Sequence, residues 1–169
     1  SVNIADMGEG HTPSAFPNTF VSLGKRNKAS VAFVQGKFCQ GGSGAIRHCG
    51  TNKLQLVVSR RHPKLIGAVN VSSTYPQDPD DDCWSFTIVR REEATANSKI
   101  PVLTYLAPLH ASEKPRCGDV LRFRSPTMPL FPKGDKAYER PVEWGTLMKL
   151  YAYQLKSTGN IIRRDGLLY

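Results

Sequence analysis

Three stretches in the middle of the chain carry apolar residues in partial alternation: Leu54-Gln55-Leu56-Val57-Val58-Ser59, Trp84-Ser85-Phe86-Thr87-Ile88-Val89 and Pro101-Val102-Leu103-Thr104-Tyr105-Leu106. They are rich in the β-branched and aromatic side chains that suit a pleated surface, and each predicts a strand. Shorter strands are expected at Val2 to Ala5 and at Val120 to Phe123, and a longer one from Gly145 to Leu155 with Leu147, Lys149, Tyr151 and Tyr153 on one face. Helical signals come earlier. Thr12-Pro13 pairs an N-cap residue with a proline at the first helical position and predicts a short helix through Phe16 to Leu23, limited by Pro17,. The glycine-rich stretch Gly24 to Gly44 predicts a loop leading into a second helix, whose first turns are Ala45 to Cys49 and whose C-cap is Gly50,. Helices early and strands late predict an α+β fold with a mostly antiparallel sheet.

Composition narrows the class without choosing a function. The 169 residues are 40% hydrophobic and 22% charged, which suits one domain with a real core,. No apolar run approaches the roughly 18 residues that cross a bilayer, so no membrane segment is expected. Cys39, Cys49, Cys83 and Cys117 form no zinc-ligand spacing, and His11, His48, His62 and His110 are scattered, so reduced thiols, a cytoplasmic location and no structural metal are expected,. The chain opens at Ser1 directly in a strand-like stretch, as at a cut edge, and the apolar residues of 157–169 suit a following segment that is truncated. One partial domain over 1–156 is the expected organisation. The net charge of +9 points to a polyanion, but the basic residues come as short pairs, Arg60-Arg61, Arg90-Arg91 and Arg163-Arg164, plus the loop Lys25-Arg26-Asn27-Lys28, and solvated charge at strand ends explains two of the pairs,. Asp80-Asp81-Asp82, in a turn bearing prolines, is likewise expected to be solvated.

Three features carry candidate chemistry. Asp6-x-Gly8-x-Gly10 is a turn whose glycines permit positive φ and close backbone approach, although an Asp beside glycines most often makes an Asx turn,. Gly36-Lys37-Phe38-Cys39-Gln40-Gly41-Gly42-Ser43-Gly44-Ala45 opens a helix and offers backbone amides to an anion,. It lacks the Gly-Lys-Ser/Thr ending of a P-loop and the preceding strand of a dinucleotide fingerprint. Gly145-Thr146 heads the last long strand, where a small residue and a hydroxyl could meet a base from beneath.

In that order, over Asp6 to about Leu155, the three resemble the GHKL, or Bergerat-fold, ATPase superfamily of gyrase B subunits, MutL, histidine kinases and heat-shock chaperones. The resemblance implies an incomplete α/β sandwich with helices on one face of a mixed, mostly antiparallel sheet. It implies that Asp6 accepts a hydrogen bond from the adenine amino group, that Gly8 and Gly10 let the backbone approach the nucleotide, and that Thr146 helps hold a water beside adenine. Gly42, Ser43, Gly44 and Ala45 would present amides to the phosphates, and Lys37 would reach one as a point charge. Ser22 to Phe38 would close as a lid, making an ATP-driven conformational switch, with a homodimer possible in a parent protein.

The family places the glutamate that activates water and the asparagine that binds Mg2+ on a helix upstream of this turn, and five residues precede Asp6 here. Glu9 lies inside the turn and is no substitute. ATP with Mg2+ is therefore the expected ligand, with hydrolysis only in a longer parent that supplies the helix. The competing expectation is a basic nucleic-acid-binding module, from the net charge and from Tyr105, Phe123, Tyr151 and Tyr153 on strands with basic neighbours,.

Overall fold

The computed structural model describes residues 1–20, 41–66, 80–94, 100–109, 119–128 and 141–154. Among these residues six strands form one sheet: β1 (Val2–Asp6), β2 (Leu54–Arg60), β3 (Trp84–Glu92), β4 (Val102–Tyr105), β5 (Leu121–Phe123) and β6 (Gly145–Leu150). The order is β1-β6-β2-β3-β4, and every pairing among these strands is antiparallel. The far side of β3 is divided, with Trp84 to Phe86 pairing β5 and Val89 to Glu92 pairing β4. Among the described residues two short α-helices, α1 (Phe16–Thr19) and α2 (Gly41–Ile46), and a 3-10 turn at Pro63–Leu65 accompany the sheet. The α+β class and the predominance of antiparallel pairing follow from these elements.

Burial on both faces explains why the strands read as apolar runs with incomplete alternation. Along β2, Val57 is buried with Phe16 and Val120, while its neighbour Val58 is buried with Trp84, Val142 and Leu147. A further cluster joins Ile46 and Cys49 to Val89 and Leu150, with Val2, Leu103 and Tyr105 packed against it. Phe16 and Ile46 anchor the two helices, both at 0% exposure.

Four expectations need correction. α1 begins at Phe16 with Ala15 as N-cap, and Pro17 is the proline of its first turn. Thr12 makes the expected cap contact one turn earlier, its Oγ1 accepting from the Ala15 amide at 3.3 Å and its carbonyl from the Ala15 and Phe16 amides at 3.2 and 3.1 Å,. α2 starts at Gly41, inside the glycine run, and ends at Ile46, while Gly50 adopts φ +53 as the chain turns toward β2. β6 stops at Leu150 because Ala152 turns the chain with φ +47, so Tyr153 packs with the Ile46 cluster and Leu147 with the Trp84 cluster.

The acidic run is not simply solvated. Arg124 reaches Asp82 at 2.8 Å and Asp80 at 2.7 Å, Arg122 reaches Asp80 at 3.4 Å and Asp119 at 2.6 Å, and Ser14 Oγ donates to Asp81 Oδ1 at 3.0 Å. Two arginines flanking or lying on β5 thus tie the approach to β3 in place. The segment 157–169, the lid residues and Lys37 lie outside the described residues. Among the described residues no helix is long and apolar enough to cross a membrane.

Trp84 tests where the core sits. It is 0% exposed, stacks on Phe123 with ring centroids 6.4 Å apart and donates from Nε1 to the Ser125 carbonyl at 3.1 Å. Trp84→Ala is expected to cost about 3–5 kcal/mol in urea denaturation, and Phe123→Ala, half-exposed at the sheet margin, well under that.

Candidate functional site

The Asp6-x-Gly8-x-Gly10 turn leaves the end of β1 and folds back onto the end of β2. Asp6 Oδ1 accepts from the Gly8 amide at 2.9 Å, so the carboxylate does make an Asx turn,. Its second oxygen has no partner among the described residues, and the residue is exposed. Gly10 is buried with φ +64, and a Cβ there would lie 1.8 Å from the Arg60 carbonyl oxygen. No side chain fits. That approach lets the Glu9 carbonyl accept from the His62 amide at 2.8 Å, and Arg61 Nη1 donates to Glu9 Oε2 at 2.9 Å and to the Gly10 carbonyl at 3.2 Å.

The pair Arg60-Arg61 is therefore structural, whatever its solvated reading from sequence. Arg60 Nε donates to the Asp82 carbonyl at 2.7 Å, and Nη1 to those of Pro126 and Glu143 at 3.1 and 3.0 Å. One guanidinium clamps the segments entering β3 and β6 around the end of β2.

On the other side of this turn stands the head of β6. Asp6 and Thr146 are direct cross-strand partners, so both side chains leave the same face of the sheet, as does Ser59, the partner of Thr146 on β2,. Thr146 Oγ1 and Ser59 Oγ lie 3.0 Å apart, Ser59 Oγ also donates to the Gly145 carbonyl at 3.1 Å, and it accepts from the His11 amide at 3.0 Å. Gly145 is small because β1 presses on it: with φ +120, a Cβ there would lie 2.4 Å from the Asp6 carbonyl oxygen. Asp6, Gly8, Gly10, Ser59 and Thr146 thus converge from three distant parts of the chain. Next to them on the same face, Ile4 pairs with Met148 and remains 52% exposed, leaving apolar surface beside the carboxylate.

Gly42, Ser43, Gly44 and Ala45 lie within α2, which is fastened by Ile46 at the Leu150 end of β6 rather than at the Thr146 end. Among the described residues no group of three or more His, Cys, Asp or Glu could hold a metal ion. Ser59 was missed by sequence reasoning. Its signal was a small polar residue directly after the apolar run Leu56-Val57-Val58; it is 0% exposed.

Gly10→Ala is expected to cost about 2–5 kcal/mol, from left-handed strain plus overlap with the Arg60 carbonyl, against about 1 kcal/mol for Gly8→Ala, whose Cβ meets only the Asp6 side chain,. Urea midpoints of the two variants check the order. Burial raises the thiol pKa of Cys49 and of Cys83; Lys53 partly offsets the first, and Arg124 the second, where Asp82 and Asp80 add to the rise. A raised folded-state value means that the stability these thiols contribute is complete below the unfolded thiol value of about 8.5 and lost as pH rises through the folded one. The urea midpoint is expected to fall above that pH, and less steeply in Cys49→Ala/Cys83→Ala; equal slopes would assign the fall to other groups.

Compared with known proteins, the chain matches no protein-family model, no curated protein and no solved structure, so the geometry of the turn and its neighbours is what a functional conclusion rests on.

Proposed function

We propose that this chain is the adenine-recognising part of a GHKL-type ATP-binding module, an incomplete Bergerat-type sandwich with its helices on one face of the sheet, working as a nucleotide-driven conformational switch. The observation that carries the proposal is the pairing of Asp6 with Thr146 across β1 and β6, with Gly8 and Gly10 folded beside them. A carboxylate and a hydroxyl on one face, next to the half-uncovered Ile4, offer a purine amine its hydrogen bonds and the ring an apolar contact,. Met148, the partner of Ile4, lies between this pair and the end of the sheet where α2 packs. A nucleotide lying along the face from Asp6 toward α2 would bring its phosphates to the open first-turn amides of α2, those of Gly42 and Ser43, since the Gly44 and Ala45 amides are turned into the helix, with Lys37 adding a positive charge,.

Hydrolysis would need a glutamate base and a Mg2+ ligand that the proposed site does not include, and would occur only where a longer protein supplied them; dimerisation on ATP would be a property of such a protein. The nucleic-acid alternative gains less support. Arg60, Arg61, Arg122 and Arg124 are engaged within the fold, and Tyr105 and Tyr153 pack against the buried clusters.

Asp6→Asn separates recognition from folding. Asparagine keeps the Oδ1 acceptor for the Gly8 amide and places an amino group where the second carboxylate oxygen was,. ATP binding followed by calorimetry or ligand-observed NMR is expected to be weak in this chain and to weaken further by about ten-fold or more in Asp6→Asn. Equal ATP binding by both proteins would sink the assignment, and steeply salt-dependent binding of an oligonucleotide, indifferent to ATP, would replace it.

A further inference from the structure

Ser59 has no role in the family resemblance, yet its hydroxyl is fully buried and fully occupied. His11 N lies at 3.0 Å, the Gly145 carbonyl at 3.1 Å and Thr146 Oγ1 at 3.0 Å. A hydroxyl has one proton and two lone pairs. An amide can only donate and a carbonyl can only accept, so the Ser59 proton goes to Gly145 and one lone pair goes to His11. The contact with Thr146 is left with the second lone pair, and the proton between the two hydroxyls belongs to Thr146. Thr146 then has no proton to offer elsewhere, and what its oxygen presents away from Ser59 is lone pairs. Asp6, its partner on the same face, is an acceptor too, with one oxygen taken by the Gly8 amide.

We propose that Ser59 is a positioning residue that turns the Asp6–Thr146 pair into an all-acceptor surface, so that the site takes 6-aminopurine nucleotides and rejects 6-oxopurine ones. This rests on the nucleotide-binding proposal above and adds the group that sets its selectivity. A threonine free to rotate would donate to a purine carbonyl as readily as it accepts from a purine amine. Ser59 removes that freedom by accepting the hydrogen bond that Thr146 donates. A site whose polar groups are committed in this way discriminates through the unmatched acceptor it leaves facing the wrong base.

The test is the ratio of ATP to ITP affinity in the wild-type chain, Ser59→Ala and Ser59→Thr. Wild type is expected to prefer ATP. Ser59→Ala is expected to lower the ATP-to-ITP ratio by about ten-fold as the Thr146 hydroxyl becomes free to donate to the base, and Ser59→Thr, which keeps the hydroxyl, to preserve the ratio. A merely structural serine would weaken both nucleotides in step. Should Ser59→Ala not fold, Ser59→Cys takes its place with the same expected fall, because a thiol donates and accepts only weakly. An unchanged ratio in the folded variant, or a wild type indifferent between ATP and ITP, overturns the selectivity inference and leaves nucleotide binding standing; a wild type that binds neither overturns both.

Discussion

The turn after β1 and the end of β2 lie closer together than any side chain at position 10 would permit, and the rest of the candidate site depends on that contact. Because Gly10 carries no Cβ, its backbone rests against the Arg60 carbonyl, and the next residue brings its amide to Ser59. Ser59 in turn holds the head of β6 through Gly145 and Thr146. Lifting the turn by an ångström would part the His11 amide from Ser59 and Arg61 from Glu9, so contacts at residues 9–11 bear on the hydroxyl that holds residues 145–146,. Gly145 repeats the device from the opposite side, since only glycine tolerates the Asp6 carbonyl at that distance,.

Much of this sheet was legible in the sequence because strand identity depends on short-range pattern. Leu54 to Arg60 and Trp84 to Glu92 carry β-branched and aromatic residues whose burial on both faces shows as apolar runs. What was not legible depends on partners remote in the chain. The glycine run hid the start of α2, because glycine's poor helix propensity is overridden here by the anchoring of Ile46 in the core,. Tyr153 leaves the face of Leu147 through the turn at Ala152, a residue type that gives no warning of positive φ. The pairing of Asp80 and Asp82 with Arg122 and Arg124 spans some forty positions, and nothing local distinguishes it from solvated charge.

The fate of the arginines also changes how the net charge of +9 is understood. A guanidinium presents five donors in a fixed fork, which makes it useful for gathering backbone carbonyls as well as phosphates. Arg60 spends its donors on the carbonyls of Asp82, Ser125, Pro126 and Glu143, and Arg61 on Glu9 and Gly10. Such arginines raise the formal charge without making a surface for a polyanion, and they stand at the end of β2, where four separate segments must be held together. Net charge taken from composition counts them as if they were free.

The two halves of the proposed nucleotide site differ in how they are held. Asp6, Ser59 and Thr146 sit on or at the ends of three adjacent strands, each fixed by ladder pairing over several residues. α2 is six residues long and is fastened to the sheet by Ala45 and Ile46, with Cys49 beyond its end. Groups carried by strands keep their positions more closely than groups carried by so short a helix. In the proposed site, base recognition would therefore fall to the ladder-paired strands, and the phosphate side to the element that a bound nucleotide could rearrange. A switch requires that division, since a ligand shifts a conformational equilibrium only through the element whose two arrangements it contacts differently.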